Sequence, residues 1–169
     1  MKQLSKKVVM LGDFSVGKTS LICRYVENAF RDEYLTTIGV KISRKSVVLE
    51  ARETTVQLLI WDIEGQTGIK TIPSHYLVGA SGGIVVADAT RPDTVASVAG
   101  HVAHFRDVNP GSPVLVAVNK TDLVPDVQTL LTQPDTGWEG VVRTLMTSAK
   151  SGEQVEALFR ALAEAVSAR

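Results

Sequence analysis

Gly12-Asp13-Phe14-Ser15-Val16-Gly17-Lys18-Thr19 has the spacing G-x-x-x-x-G-K-[ST], and it stands between an apolar run, Val8-Val9-Met10-Leu11, and a helical run from Lys18 to about Asn28. Glycines at those positions permit a turn whose successive N–H groups point inward at phosphate oxygens, and a helix starting at Lys18 adds its free N–H groups and positive dipole end. Lys18 supplies a point charge, and Thr19 offers a hydroxyl to Mg²⁺, which prefers hard oxygen ligands. This chemistry is that of nucleoside-triphosphate binding.

A second polar cluster, Asn119-Lys120-Thr121-Asp122, closes another apolar run. A carboxylate there can accept two hydrogen bonds from the N1–H and 2-amino group of guanine, a donor pair adenine does not present, so Asp122 points to guanine. Lys120 can cover the base with its aliphatic stem, and Asn119 can tie this segment to the phosphate loop. Thr147-Ser148-Ala149-Lys150 follows the next apolar run and offers the Ala149 N–H to the guanine O6. Asp62 closes a strand-like run too, and burying a carboxylate beside a phosphate loop is costly unless it serves a cation or hydrogen bonds.

The elements that must bring these residues together are readable from periodicity. Leu21, Ile22, Tyr25 and Val26 lie on one face of the first helix, with Cys23 beside them as a packing residue. Val40 to Leu49 and Thr54 to Trp61 are rich in β-branched and apolar residues around the turn Glu50-Ala51-Arg52-Glu53, which predicts an antiparallel hairpin. Gly83 to Asp88 and Val114 to Asn119 are continuous apolar runs, as in strands buried on both faces of a parallel sheet. Thr94 to Asp107 reads as one helix, stopped by Asn109-Pro110-Gly111. His101 and His104 within it lack a third metal ligand and read as a solvated face. A strand near Val142 to Met146 and a helix from Glu153, striped by Val155, Leu158, Phe159, Leu162 and Val166, complete the pattern. With a weak helix before that strand, the order is an α/β sandwich: a six-stranded, mostly parallel sheet with helices on both faces, forming one domain over residues 1–169. Ligands bind such sheets outside the carboxyl ends of the strands, where Gly12, Asp62, Asn119 and Ser148 all fall.

Composition excludes more than it selects. The 18 basic and 18 acidic residues balance, so no bulk attraction draws the chain to nucleic acid or anionic lipid. One cysteine among 169 residues excludes a disulfide framework and suits a reducing cytosol. Nothing resembles a signal peptide or a membrane span, which predicts a cytoplasmic protein.

In the order of its motifs the chain resembles the Ras-like small GTPases, and among them the Rab family. The resemblance rests on Gly12 to Ser20, Thr37-Ile38-Gly39-Val40, Trp61-Asp62-Ile63-Glu64-Gly65-Gln66, Asn119 to Asp122, and Ser148-Ala149-Lys150, and it spans nearly the whole chain. It implies a Mg²⁺-dependent switch between GTP and GDP forms that hydrolyses GTP. It places Phe14, Ser15, Val16, Gly17, Lys18, Thr19 and Ser20 around the phosphates, and Phe30, Asn119, Lys120, Asp122, Leu123, Ser148, Ala149 and Lys150 around the base and ribose. Tyr34 closes over the phosphates, Thr37 joins Thr19 and Asp62 around Mg²⁺, the Gly65 N–H touches the γ-phosphate, and Gln66 orients the attacking water. Ile42, Trp61 and Tyr76 match the positions that Rab-like proteins present to effectors.

Departures from the family pattern fall near the reacting phosphate. Phe14 replaces a small residue, Ile63-Glu64 replaces Thr-Ala, and Thr67 replaces Glu. Slow hydrolysis follows as the expectation, or, in a competing reading, a nucleotide-binding scaffold with little hydrolysis. An ATPase or kinase is disfavoured by Asp122. Gln133-Pro134-Asp135-Thr136-Gly137 predicts a short helix before the last strand. The chain ends Val166-Ser167-Ala168-Arg169 without a prenylation cysteine, and Lys2 stands where myristoylation needs glycine. Membrane contact is then expected only at the periphery, through a partner or a tail beyond this chain.

Overall fold

The computed structural model describes residues 1–32, 39–63, 72–126 and 138–169. Its strands are β1 (Lys2–Leu11), β2 (Val40–Leu49), β3 (Thr54–Ile63), β4 (Gly82–Asp88), β5 (Val114–Asn119) and β6 (Val141–Met146). The helices are α1 (Lys18–Glu27), α2 (Ser74–Leu77), α3 (Pro92–Ala96), α4 (Val98–Val108) and α5 (Val155–Ser167). The strands form one six-stranded sheet in the order β2-β3-β1-β4-β5-β6. Only β2 runs antiparallel to its neighbour, and the β2–β3 hairpin turns through a short 3₁₀ segment, Glu50–Arg52, with Glu53 left-handed at φ 47.

Alternation along the strands builds two cores. In β1, Val8 and Met10 face one cluster with Leu21, Ile22 and Tyr25 of α1 and the Val155, Leu158, Phe159, Leu162, Val166 stripe of α5. Val9 and Leu11 face the other, with Leu77 of α2 and Val98, Val102 and Phe105 of α4. Each face therefore carries its own helix layer, as a period of two in the strands requires. Both β4 and β5 are buried throughout, which explains their unbroken apolar sequence.

The structure departs from the sequence expectations in four places. First, β1 begins at Lys2, because its polar first half pairs with β3 from Lys2↔Thr54 onward; ladder bonding overrides the apolar pattern there. Second, the helix expected over Thr94 to Asp107 is divided at Ser97. Ser97 Oγ donates to the Asp93 carbonyl at 3.0 Å, a back-bond that bends helices, while Thr94 Oγ1 accepts from the Asp88 N–H at 2.9 Å and fixes the first turn to β4. Third, Cys23 is half-buried rather than core, its thiol facing Glu27 and Arg31. Fourth, His101 is buried, as developed below. The helix expected before β6, with Gln133 to Gly137, lies outside the described residues.

Candidate functional site

The phosphate loop is shaped by two close approaches. Gly12 has φ 146 and Gly17 φ 104, and a Cβ at Gly12 would strike the Val86 carbonyl, one at Gly17 the Asn119 amide. Only glycine lets the loop sit this near β4 and β5. Gly17 then begins α1, whose first turn, with Thr19 and Ser20, carries no side-chain cap. Lys18 Nζ donates to the carbonyls of Gly12 (3.0 Å) and Asp13 (2.9 Å). Burial pushes its ammonium down to about 8, against the opposing pull of Asp62 and Asp13, while Arg91 pushes the same way as burial.

Thr19 Oγ1 donates to Asp62 Oδ2 at 2.6 Å, so the first turn of α1 and the end of β3 bring a hydroxyl and a carboxylate together. Asp62 is buried at the sheet's carboxyl edge. The pair is a hard, oxygen-only donor set of few protein ligands, which fits Mg²⁺, an ion that keeps phosphates and waters in its shell.

Asn119 organises the other half. It is 1% exposed; its Nδ2 donates to the Val16 carbonyl (3.2 Å), while its Oδ1 accepts from Thr147 Oγ1 (3.1 Å) and the Ala149 N–H (3.3 Å). The expected tie between the two loops is thus present, and the Ala149 N–H meets Asn119. Lys120, left-handed at φ 64, extends to the Ser15 carbonyl at 2.8 Å and to Asp88 at 2.9 Å. Its stem therefore runs from the Asn119–Asp122 segment to the phosphate loop. Asp122 is exposed, and the fully buried Ser148 donates to its Oδ1 at 2.8 Å, so Ser148 stands behind that carboxylate and orients it. Leu123 is exposed beside it, and Phe30 packs half-buried against the α1–α5 core. Lys150 is exposed.

Several residues without a motif complete the arrangement. Arg24 of α1 donates to the carbonyls of Ala149 (2.8 Å) and Lys150 (2.6 Å), clamping the loop after β6. Asp88 receives Lys120, Thr90 and Arg91. Burial pushes its carboxyl up, but those hydrogen bonds together outweigh burial and hold it below the usual carboxylate range. Arg91 also donates to the Phe14 carbonyl at 2.7 Å, and Phe14 is 38% exposed on the loop. His101 is 1% exposed and its Nε2 lies 2.8 Å from Asp13 Oδ1, which corrects the expectation of a solvated histidine face; His104 is half-buried with Nε2 3.0 Å from the Ile72 carbonyl. Sequence did carry the signal: Val98, His101, Val102 and Phe105 have the spacing of a buried helical stripe. Tyr34, Thr37, Glu64, Gly65 and Gln66 lie outside the described residues.

A phosphate loop, a hydroxyl–carboxylate pair and a carboxylate-bearing turn, joined at one edge of a mostly parallel sheet, define the class of P-loop nucleotide-binding α/β proteins. Residues 7–168 match the Ras family. The chain is 33% identical over 159 residues to "Ras-related protein Rab-13" of Mesocricetus auratus, covering 93% of this chain and 77% of that protein. It is 36% identical over 157 residues to "Ras-related protein YPTC6" of Chlamydomonas reinhardtii, covering 91% and 71%. The chain belongs to the Ras family of small GTPases, GTP-binding switches that hydrolyse GTP.

Proposed function

We propose that this protein is a Mg²⁺-dependent switch of slow intrinsic turnover, selective for guanine through Asp122. The observation that carries the reading is the Asn119–Val16 hydrogen bond of 3.2 Å, which joins the Asp122 turn and the phosphate loop into one site. Phe14 to Ser20 cradle the phosphates. Asp122, oriented by Ser148, pairs with the base, Lys120 and Phe30 flank it, and Leu123, Ala149 and Lys150 complete its surroundings. Thr19, Asp62 and Thr37 would hold Mg²⁺, which neutralises charge on the β- and γ-phosphate oxygens when bound. By the resemblance to the family, Tyr34 and the Gly65 N–H would contact the phosphates, and Gln66 would orient the water that attacks the γ-phosphorus. The bond to the β–γ bridging oxygen breaks, giving GDP and phosphate.

Slow turnover follows from the loop itself. No arginine lies between Tyr34 and Thr37, so unaided hydrolysis should be near ~10⁻⁴ to 10⁻³ s⁻¹, the rate of a site lacking an arginine finger. Phe14 stands where a partner's arginine would approach, its carbonyl held by Arg91 and the residue 38% exposed. Its bulk obstructs that approach, and Glu64, two residues after Asp62 in the sequence, adds either a negative charge or an anchor for a partner. Single-turnover hydrolysis with and without a Rab-type activating domain tests this: poor stimulation is expected, with Phe14→Gly recovering part of the response. Brisk stimulation of the unmodified chain would show that Phe14 is no obstacle, and absence of any hydrolysis would favour a nucleotide-binding scaffold.

Protein partners are proposed to dock on the switches and on Ile42, Trp61 and Tyr76. Ile42 is 49% exposed and pairs directly across from Trp61, whose ring lies under Lys7 Nζ at 3.8 Å. An exposed apolar side chain beside a half-buried aromatic is a common docking feature. No helix among the described residues is long and apolar enough to cross a membrane. We place the protein in the cytoplasm, reaching membranes through a partner or a tail beyond this chain.

A further inference from the structure

Asp13 puts a carboxylate in a loop that must hold several negative charges. A like charge only a few ångströms from a triphosphate opposes its binding unless it is turned away or neutralised. Here Asp13 Oδ1 lies 2.8 Å from Nε2 of His101, on α4. That helix packs with Val9 and Leu11, on the opposite face of the sheet from α1, at whose first turn Lys18 and Thr19 stand. The carboxylate is thus drawn toward the far helix layer while the Asp13 backbone stays in the loop, its carbonyl bonded to Lys18.

We propose that His101 is a positioning residue for nucleotide binding, a neutral donor that pins the Asp13 carboxylate away from the phosphates. This rests on the reading of the loop as a guanine-nucleotide site. The ring's protonation state follows from its surroundings. His101 is 1% exposed, and its Nδ1 is buried with no hydrogen-bond partner among the described residues, so a proton there would be an orphaned donor. The neutral tautomer with its proton on Nε2, donating to Asp13, leaves no donor unsatisfied. Burial lowers the imidazole below its ordinary value, opposed by Asp13 and reinforced by Lys18 and His104, which agrees with a neutral ring.

The pin differs from plain packing in its dependence on Asp13. If His101 only filled space, His101→Phe would act equally whether or not residue 13 carried a carboxylate. If it pins that carboxylate, removing the carboxylate abolishes the effect.

The test is release of fluorescent N-methylanthraniloyl-GDP from the full chain, chased with unlabelled GDP and Mg²⁺. His101→Phe should accelerate release about tenfold, the size of one moderate electrostatic interaction. His101→Gln, whose amide can place an N–H near the Nε2 position, should stay within about twofold of the unmodified chain. Asp13→Ala should release no faster than the unmodified chain, and Asp13→Ala combined with His101→Phe should match Asp13→Ala alone. Equal release from His101→Phe and the unmodified chain, full persistence of the acceleration in the Asp13→Ala background, or faster release from Asp13→Ala itself each overturns the proposal. Should His101→Phe not fold, ring ¹⁵N NMR of the GDP-bound unmodified chain decides. A neutral ring protonated on Nε2 supports the pin, and a ring charged at neutral pH or protonated on Nδ1 overturns it. Failure of the unmodified chain to bind the labelled GDP would instead remove the guanine-nucleotide reading and the pin with it.

Discussion

The phosphate loop is held from two sides by different chemistry. From β5, Asn119 and Lys120 donate to the carbonyls of Val16 and Ser15, and both residues belong to the Asn119–Asp122 motif. From the start of α3 and from α4, Arg91 takes the Phe14 carbonyl and His101 faces the Asp13 carboxylate. The first side couples the loop to the Asn119–Asp122 turn through backbone oxygens, with residues that belong to a recognisable motif. The second side couples the loop to the opposite helix layer, and its residue types answer to what the loop itself carries. A loop with Asp13 and Phe14 has particular needs, and Arg91 and His101 meet them.

The largest effect should come from the β5 side. Asn119→Ala removes one donor and one shared acceptor at a 1% exposed position and leaves the Val16 carbonyl, Thr147 hydroxyl and Ala149 N–H without this partner. A loss of about 3 kcal/mol in folding stability is expected, with nucleotide binding failing in parallel. Urea unfolding checks it, and a loss below about 0.5 kcal/mol would show that the two loops are not coupled through Asn119.

A smaller effect is expected at the α1–β3 junction, which belongs to neither side. Thr19→Asn replaces the hydroxyl that donates to Asp62 at 2.6 Å. GTP affinity in Mg²⁺ should fall more than GDP affinity, by about tenfold more, because an ion held by Thr19 would offset the additional charge of the γ-phosphate. Titration of both nucleotides with and without Mg²⁺ measures it, and equal losses would reduce Thr19 to a helix residue.

Smallest is the pH dependence of the α4 side. Burial lowers the folded pKa of His101 below 6.5, with Asp13 opposing and Lys18 and His104 adding to the lowering. As pH falls through about 6.5 the unfolded chain takes up the proton first, so stability declines until the folded pKa is reached, with a slope of at most ~1.4 kcal/mol per pH unit from this group. Above that window its contribution is flat. Comparing unfolding of the unmodified chain with His101→Gln between pH 5 and 8 isolates the slope, which should be shallower in the variant.

What the sequence revealed divides along the same line. The sheet, the hairpin, the α5 stripe and the positions of Gly12, Asp62 and Asn119 at strand ends follow from periodicity and motif spacing, because apolar alternation and phosphate chemistry leave few residue choices. The continuous runs of β4 and β5 announced double burial for the same reason. The polar half of β1 did not announce itself, since pairing with β3 comes from outside the segment. Arg24 and Arg91 were silent because a guanidinium that reaches a backbone carbonyl leaves no trace in its acceptor's identity. His101 was misread for a different reason: its stripe with Val98, Val102 and Phe105 was legible, but a polar residue in an apolar stripe looks solvated until its partner is known.

Competition for one bound labelled GDP tests the guanine assignment most directly. Asp122, oriented by Ser148 at 2.8 Å, offers a paired acceptor that adenine leaves unmet. Unlabelled GTP should displace the label at concentrations on the order of 10⁴-fold below those required of ATP, the discrimination available when a polar site is left unpaired. Asp122→Asn should transfer that preference toward xanthosine triphosphate. Comparable displacement by ATP and GTP would contradict the assignment.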